Sequence, residues 1–164
     1  MIRIGYGTDI HRLEAGRPLI IGGVGIEFDN GAAGHSDADV LLHAITDAIL
    51  GSLALGDIGQ HFPDSDERWK GADSLTFLRH ANSLINDAGY TIVNIDCVID
   101  LESPKLRPHI EQMRENIATA LDIDTGCVSV KAKTGEQVDA VGEGRAIRAQ
   151  AVVLIESSSV TSDK

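Results

Sequence analysis

The sequence predicts an α/β sandwich, one mixed β-sheet with helices packed on a single face, in one domain spanning residues 1–156. Three observations lead there. Strand-like and helix-like patterns follow one another as strands, helix, helix, strand, helix, strand, strand, an order that suits layers rather than a bundle. The 164 residues suffice for one buried core and are short for two. Hydrophobic residues make up 43% of the chain but aromatics only 4%. The core must therefore be built from Ala, Val, Ile and Leu, which suits close contacts between strands and helices.

Residues 2–13 lack a helical period and run into the turn-like Glu14-Ala15-Gly16-Arg17-Pro18, so they are read as a strand. Residues 19–28 follow as one or two short strands broken by glycine, giving a hairpin-like unit. Over 36–53 the apolar positions Val40, Leu41, Ala44, Ile45, Ala48, Ile49 and Leu53 recur at helical spacing. This predicts an amphipathic helix with Ser36 as N-cap and Asp37 and Asp39 in its first turn. Residues 56–69 are aperiodic, acidic and interrupted by Gly59 and Pro63, and loops of this length in compact domains are often functional. A second helix is expected over 74–88, closed by Gly89, then a strand over 90–101. Ser103-Pro104 reads as the start of a third helix, with Pro at its first position, reaching about Leu121. Strands over 127–132 and 146–155 complete the sheet, and residues 157–164 read as a disordered polar tail.

A formal net charge of −11 argues against nucleic acid as a partner, because a phosphate backbone needs Lys/Arg stripes. Any phosphate ligand must be met locally, by backbone N–H groups, helix N-termini or bound cations. No apolar run approaches the length of a membrane span and no basic segment leads into one, so the expected location is cytoplasmic. Cys97 and Cys127 form no C-x-x-C pattern, and Cys97 shares the apolar side of its strand, as a buried free thiol would.

Asp9 and His11 stand two apart on a predicted strand, so both side chains project to one face. His43 lies on the apolar helix. Two imidazoles and a carboxylate would leave a fourth tetrahedral position open, as catalytic zinc sites do. Spacing alone does not bring His43 beside the strand, and a lone helical His is more often a satisfied surface residue. Asp39 and Asp47 lie one turn either side of His43. Either can orient its second ring nitrogen, or both can simply solvate a helix face.

The segment Gly34-His35-Ser36-Asp37-Ala38-Asp39-Val40-Leu41-Leu42-His43 closely resembles the signature of the 2-C-methyl-D-erythritol 2,4-cyclodiphosphate synthase family of the non-mevalonate isoprenoid pathway. Gly7-Thr8-Asp9-Ile10-His11-Arg12, the stretch from Gly56 to Asp66, Pro104-Lys105-Leu106 and Lys131-Ala132-Lys133-Thr134-Gly135-Glu136 resemble further family motifs in family order. The likeness spans nearly the whole chain except the tail.

The resemblance implies a cyclising, CMP-releasing lyase that acts on a substrate with a cytidine diphosphate moiety. It implies Zn2+ on Asp9, His11 and His43 as a Lewis acid and template, and Mg2+ or Mn2+ on the diphosphate meeting Glu136. His35 and Thr134 would align the reacting groups, with Ser36 at the helix mouth meeting phosphate. The loop bearing Asp57, Ile58, Gly59, Phe62, Pro63, Asp64, Ser65 and Asp66 would hold the methylerythritol hydroxyls. Leu101, Glu102, Ser103, Pro104, Lys105, Leu106 and Arg107 would form the cytidine pocket, and Lys133, Thr134, Gly135 and Glu136 would complete the diphosphate site. Family members are homotrimers with sheets facing the central axis and active sites between subunits. Zinc-dependent hydrolysis of a nucleoside diphosphate compound and a non-enzymatic metal- or isoprenoid-binding trimer are the competing readings.

Overall fold

The computed structural model describes residues 1–158. Strands β1 (Ile2–Ala15), β4 (Asn30–Ala32), β5 (Tyr90–Asp100), β6 (Val128–Lys133) and β7 (Ala146–Ser157) form a mixed sheet in the order β4-β1-β7-β5-β6. Only β5 and β6 are parallel, and α4 (Ile110–Leu121) makes the crossover between them. The antiparallel β1–β7 ladder is unbroken from Ile2↔Glu156 to Arg12↔Ala146, which places Asp9 opposite Ala149 and His11 opposite Ile147. A hairpin of β2 (Leu19–Ile21) and β3 (Val24–Ile26) lies beside the sheet. Its two-residue turn is Gly22-Gly23, both at positive φ, as tight hairpin turns require.

Helices α1 (Val40–Ser52), α3 (Ser74–Asp87) and α4 cover one face. The periodicity predicts an amphipathic α1, but the helix is buried nearly all round, Leu42, Thr46 and Leu50 included. It lies between the sheet, against β1 and β7, and α3, so only the narrow stripe of His43, Asp47 and Gly51 is left partly accessible. The contact with β1 is made at glycine. A Cβ on Gly5 would stand 1.7 Å from the Ala48 carbonyl oxygen, and one on Gly7 2.1 Å from that of Ala44. Only bare backbone lets the helix settle so low on the strand.

Three boundaries differ from the sequence expectation. Helix α1 is capped by Asp39 and not by Ser36: the Asp39 carboxylate accepts from the Leu42 N–H at 3.1 Å and also from the turn amides of Gly22 and Gly23, at 2.9 and 2.7 Å. Those distant donors decide among three good capping residues. Ser103-Pro104 does not begin the third helix; a 3-10 turn at Arg107–His109 leads into α4, and Pro108 is the proline at its start. The expected tail from 157 is shortened, because Ser157 still pairs with Tyr90 and the Ser158 N–H reaches the Gly89 carbonyl; residues 159–164 lie outside the described residues. Three short elements, β4, α2 (Ile58–His61) and α5 (Asp139–Gly142), carry no periodic signal, and α2 lies within the stretch 56–69 that the sequence presents as a loop.

The opposite face of the sheet has no helix on it among the described residues. Ile2, Ile4, Tyr6 and Ile10 of β1 and Val152 of β7 stand exposed there, each at least 44% accessible, a sizeable apolar surface of the kind that marks an interface. No described helix is long and apolar enough to cross a membrane.

Candidate metal centre and adjoining pocket

Because α1 rests on Gly5 and Gly7, its next residue toward the N-terminus, His43, arrives over Asp9 and His11 on the same face of β1. Asp9 Oδ2 is 2.8 Å from His11 Nε2 and 2.9 Å from His43 Nδ1, and the two nitrogens are 3.3 Å apart. Zinc bonded at 2.0–2.1 Å in a tetrahedron needs donors separated by about 3.3 Å. The N–N edge meets that, the two N–O edges are shorter by up to about half an ångström, and the N, N, O donors suit zinc. Among the described residues it is the one group of three potential ligands that converges in this way.

Each ligand is held from behind. His11 Nδ1 lies 2.8 Å from the Ala33 carbonyl; a carbonyl only accepts, so Nδ1 carries a proton and Nε2 is the nitrogen turned toward Asp9 and His43. The outer nitrogen of His43, Nε2, meets the hydroxyls of Ser74 at 2.9 Å and Ser36 at 3.1 Å. Ser74, itself fully buried, donates to the Asp37 carboxylate, which also accepts the Ser74 N–H at 3.0 Å. Ser74 backed by Asp37 therefore fills the orienting role expected of Asp39 or Asp47. Asp39 is occupied with three N–H groups, and Asp47 with the Ile58 N–H at 2.7 Å. The Asp47 bond anchors the acidic loop to the same helix that carries His43.

Electrostatics follow burial and pairing. Burial alone would push the Asp9 carboxyl up, but hydrogen bonds from His11 and His43 outweigh it and hold the group well below the usual range. Burial would depress His11, yet the Asp9 carboxylate raises it above the ordinary imidazole value. Complete burial pushes Asp39 up to about 6 despite its three N–H partners.

The three ligands line a cavity of about 450 Å3 together with Gly34, His35, Ser36, Ile58, Gly59, Phe62, Pro63, Asp64, Trp69 and Phe77. Its size suits a small organic ligand. The short helix α2 (Ile58–His61) turns the loop into this wall, and Phe62, Trp69 and Phe77 pack as one aromatic cluster with ring centroids 4.3–5.8 Å apart. His35 is fixed through Nε2 by the Asp66 carbonyl at 3.1 Å. Three residues of the expected sugar loop do not line the cavity. Asp57 caps α2, the Asp66 carboxylate pairs with Arg68, and Ser65 is exposed.

A second hollow of about 130 Å3 is lined by Leu101, Pro104, Lys105, Leu106, Arg107, Ala132, Lys133 and Thr134. Beside it Glu102 accepts the Gly135 N–H at 3.0 Å, and Thr134 donates to Glu136 at 2.8 Å. Ser103 belongs to the adjoining turn and does not line the hollow. In the sheet, β7 and β5 separate β1 from β6. Asp9 and the end of β6 thus lie three strand spacings apart, about 14 Å.

The YgbB family model matches residues 2–156. The chain belongs to the YgbB family. A YgbB relative from Solibacter usitatus, 58% identical over 94% of this chain and 98% of its own, is named 2-C-methyl-D-erythritol 2,4-cyclodiphosphate synthase. Among solved structures, IspF of Plasmodium falciparum in complex with CDP has a TM-score of 0.85 at 38% identity, covering 96% of this chain and 97% of that one. The bifunctional IspDF of Campylobacter jejuni has a TM-score of 0.92 at 38% identity, covering 96% of this chain, which spans only 42% of that longer protein.

Sequence reasoning on the YgbB motifs missed Ser74, Asp37 as its partner, and the Trp69 and Phe77 wall. The only local signal for Ser74 is that a serine opens a helix, which is common at helix starts.

Proposed function

We propose that the protein converts 4-diphosphocytidyl-2-C-methyl-D-erythritol 2-phosphate to 2-C-methyl-D-erythritol 2,4-cyclodiphosphate and CMP. An oxygen of the 2-phosphate forms a bond to the β-phosphorus, the bond from that phosphorus to the bridging oxygen breaks, and CMP leaves with the electron pair. The observation that carries this reading is the Asp9, His11, His43 triangle at the wall of an open cavity. Its support is a relative named as the synthase at 58% identity and a CDP complex of the same fold.

Asp9, His11 and His43 would hold Zn2+, and Glu136 would meet Mg2+ or Mn2+ on the diphosphate; these ions polarise phosphoryl oxygens and template the substrate. The protein's own groups do the positioning. Ile58, Gly59, Phe62, Pro63 and Asp64 bind the methylerythritol portion, with Asp57, Ser65 and Asp66 shaping the loop. Ser36 presents a donor to phosphate beside the triad, and His35, at the same helix mouth, aligns the reacting groups. Leu101, Pro104, Lys105, Leu106 and Arg107 receive the cytidine, with Glu102 and Ser103 shaping the turn. Lys133, Thr134, Gly135 and Glu136 take the diphosphate, Thr134 aligning it for in-line displacement.

The cytidine hollow and the triad lie about 14 Å apart across the sheet, and an apolar sheet face stands uncovered. A homotrimer whose sheets face a central axis buries that face and brings the hollow of one subunit to the triad of the next.

Incubating the purified protein with substrate and Mg2+ tests the reading. Cyclic diphosphate plus CMP is expected; a linear hydrolysis product, or no CMP, refutes it. His43→Ala should lose the zinc of the Asp9, His11, His43 triangle and CMP release while remaining folded, and an unchanged zinc stoichiometry together with CMP release removes His43 from the site.

A further inference from the structure

Two imidazoles outside the triad face each other at the surface. His61 ends α2 and His80 lies within α3, with His61 Nδ1 3.4 Å from His80 Nε2 and ring planes at 61°. The other nitrogen of His61, Nε2, meets the Leu55 carbonyl at 2.9 Å. Since that oxygen can only accept, Nε2 carries the proton and Nδ1 turns a bare lone pair toward His80. A backbone carbonyl fixes the tautomer in the same manner behind metal-bound histidines, as Ala33 does for His11.

The spacing selects a geometry. Nitrogen donors on a tetrahedral ion with 2.0–2.1 Å bonds are about 3.3 Å apart. Neighbouring donors in square-planar or octahedral arrangements at such bond lengths are closer, about 2.9 Å. The observed 3.4 Å is wide enough for a tetrahedral ion to bridge the two nitrogens. Imidazole suits zinc, and His80 is exposed, so water can complete the shell.

We propose that His61 and His80 hold a second zinc ion, separate from the Asp9, His11, His43 site, and that this ion ties α2 to α3. With two protein ligands it binds more weakly than the triad. His61 directly precedes Phe62, whose ring packs against His80 at 5.1 Å and lines the cavity. The ion thereby steadies the loop that forms the cavity wall. The metal binding stands on its own; the loop's importance to turnover rests on the function proposed above.

The test is equilibrium dialysis of chelator-stripped protein against Zn2+ alone, with hydrogen exchange of the amides of residues 57–64 read in parallel. Wild type takes up two equivalents, His80→Ala one, and His43→Ala one. The second equivalent slows exchange in wild type by several-fold and leaves His80→Ala unchanged. Wild type stopping at one equivalent, His80→Ala retaining two, or exchange indifferent to the second ion overturns the proposal and leaves an ordinary His–His hydrogen bond. A wild type that forms no cyclic product refutes the proposed function without touching the stoichiometry.

Discussion

Replacing Gly7 by Ala tests how the metal triangle is assembled. The added Cβ would sit 2.1 Å from the Ala44 carbonyl oxygen, 2.7 Å from the Ala48 nitrogen and 3.0 Å from the Asp47 Cβ. Ordinary contact begins near 3.4 Å, so α1 must rise from β1 by 3.4 − 2.1 = 1.3 Å. Ala44 immediately follows His43, so the imidazole moves with it. Metal sites tolerate errors of about 0.2 Å in ligand distance, several times less than this displacement. Zinc affinity should therefore fall at least tenfold. Overpacking of this kind costs about 1–3 kcal/mol, which for a chain of this size lowers the melting temperature by roughly 2–12 °C. Gly51→Ala is the control. Its Cβ would meet nothing nearer than the Tyr6 oxygen at 3.9 Å, and an alanine within α1 should stabilise by about 0.5–1 kcal/mol. Zinc titration and calorimetry read both variants. A Gly7→Ala protein with wild-type zinc affinity and melting temperature would refute the claim that the glycine contact sets the site.

Ser74→Ala removes the hydroxyl that orients His43 and leaves Asp37 without it; zinc affinity should drop about 10–100-fold, and an unchanged dissociation constant would show that Ser36 alone suffices. Asp39 has a folded pKa near 6, above the roughly 3.9 of an unfolded chain. The stability it contributes is full below about pH 4 and is lost as pH rises through 6, by about 3 kcal/mol at most. Urea unfolding at pH 5 and 7.5 should show a steeper decline in wild type than in Asp39→Asn, and equal declines count against a buried, raised carboxyl. Burial pushes the Cys97 thiol up to about 12, whereas Cys127 is only half-buried. A disulfide exchange reagent should thus titrate one thiol in the native protein and two after denaturation.

Local pattern made the long elements legible. Alternation along β1 put Asp9 and His11 on one face, and the 3.6-residue period located α1 and hence His43. What brings them together was not legible, since Gly5 and Gly7 look like any glycines until Ala44 and Ala48 are known to press on them. Ser36, Asp37 and Asp39 are all good caps, and the choice fell to amides of a hairpin turn 16 and 17 residues away. Helical spacing points to Asp39 or Asp47 as the orienting partner of His43, but that partner is Ser74, 31 residues on. Likewise Pro104 and Pro108 carry the same helix-start signal, and only packing tells them apart. The motif resemblance covered the loop residues as a set, but which of them face the cavity depends on α2, a single turn too short to leave a period.

The Asp47 carboxylate's grip on the Ile58 amide has a bearing on how such a protein can change. One turn of α1 separates the ion's third anchor from the handle of the loop, so inorganic chemistry and organic recognition ride on a common lever. Under the proposed function, reshaping the cavity wall for another polyol phosphate would tug on the imidazole. Variants that broaden specificity should arise first where the wall is not leashed to that helix, at Pro63 and Asp64, rather than at Ile58.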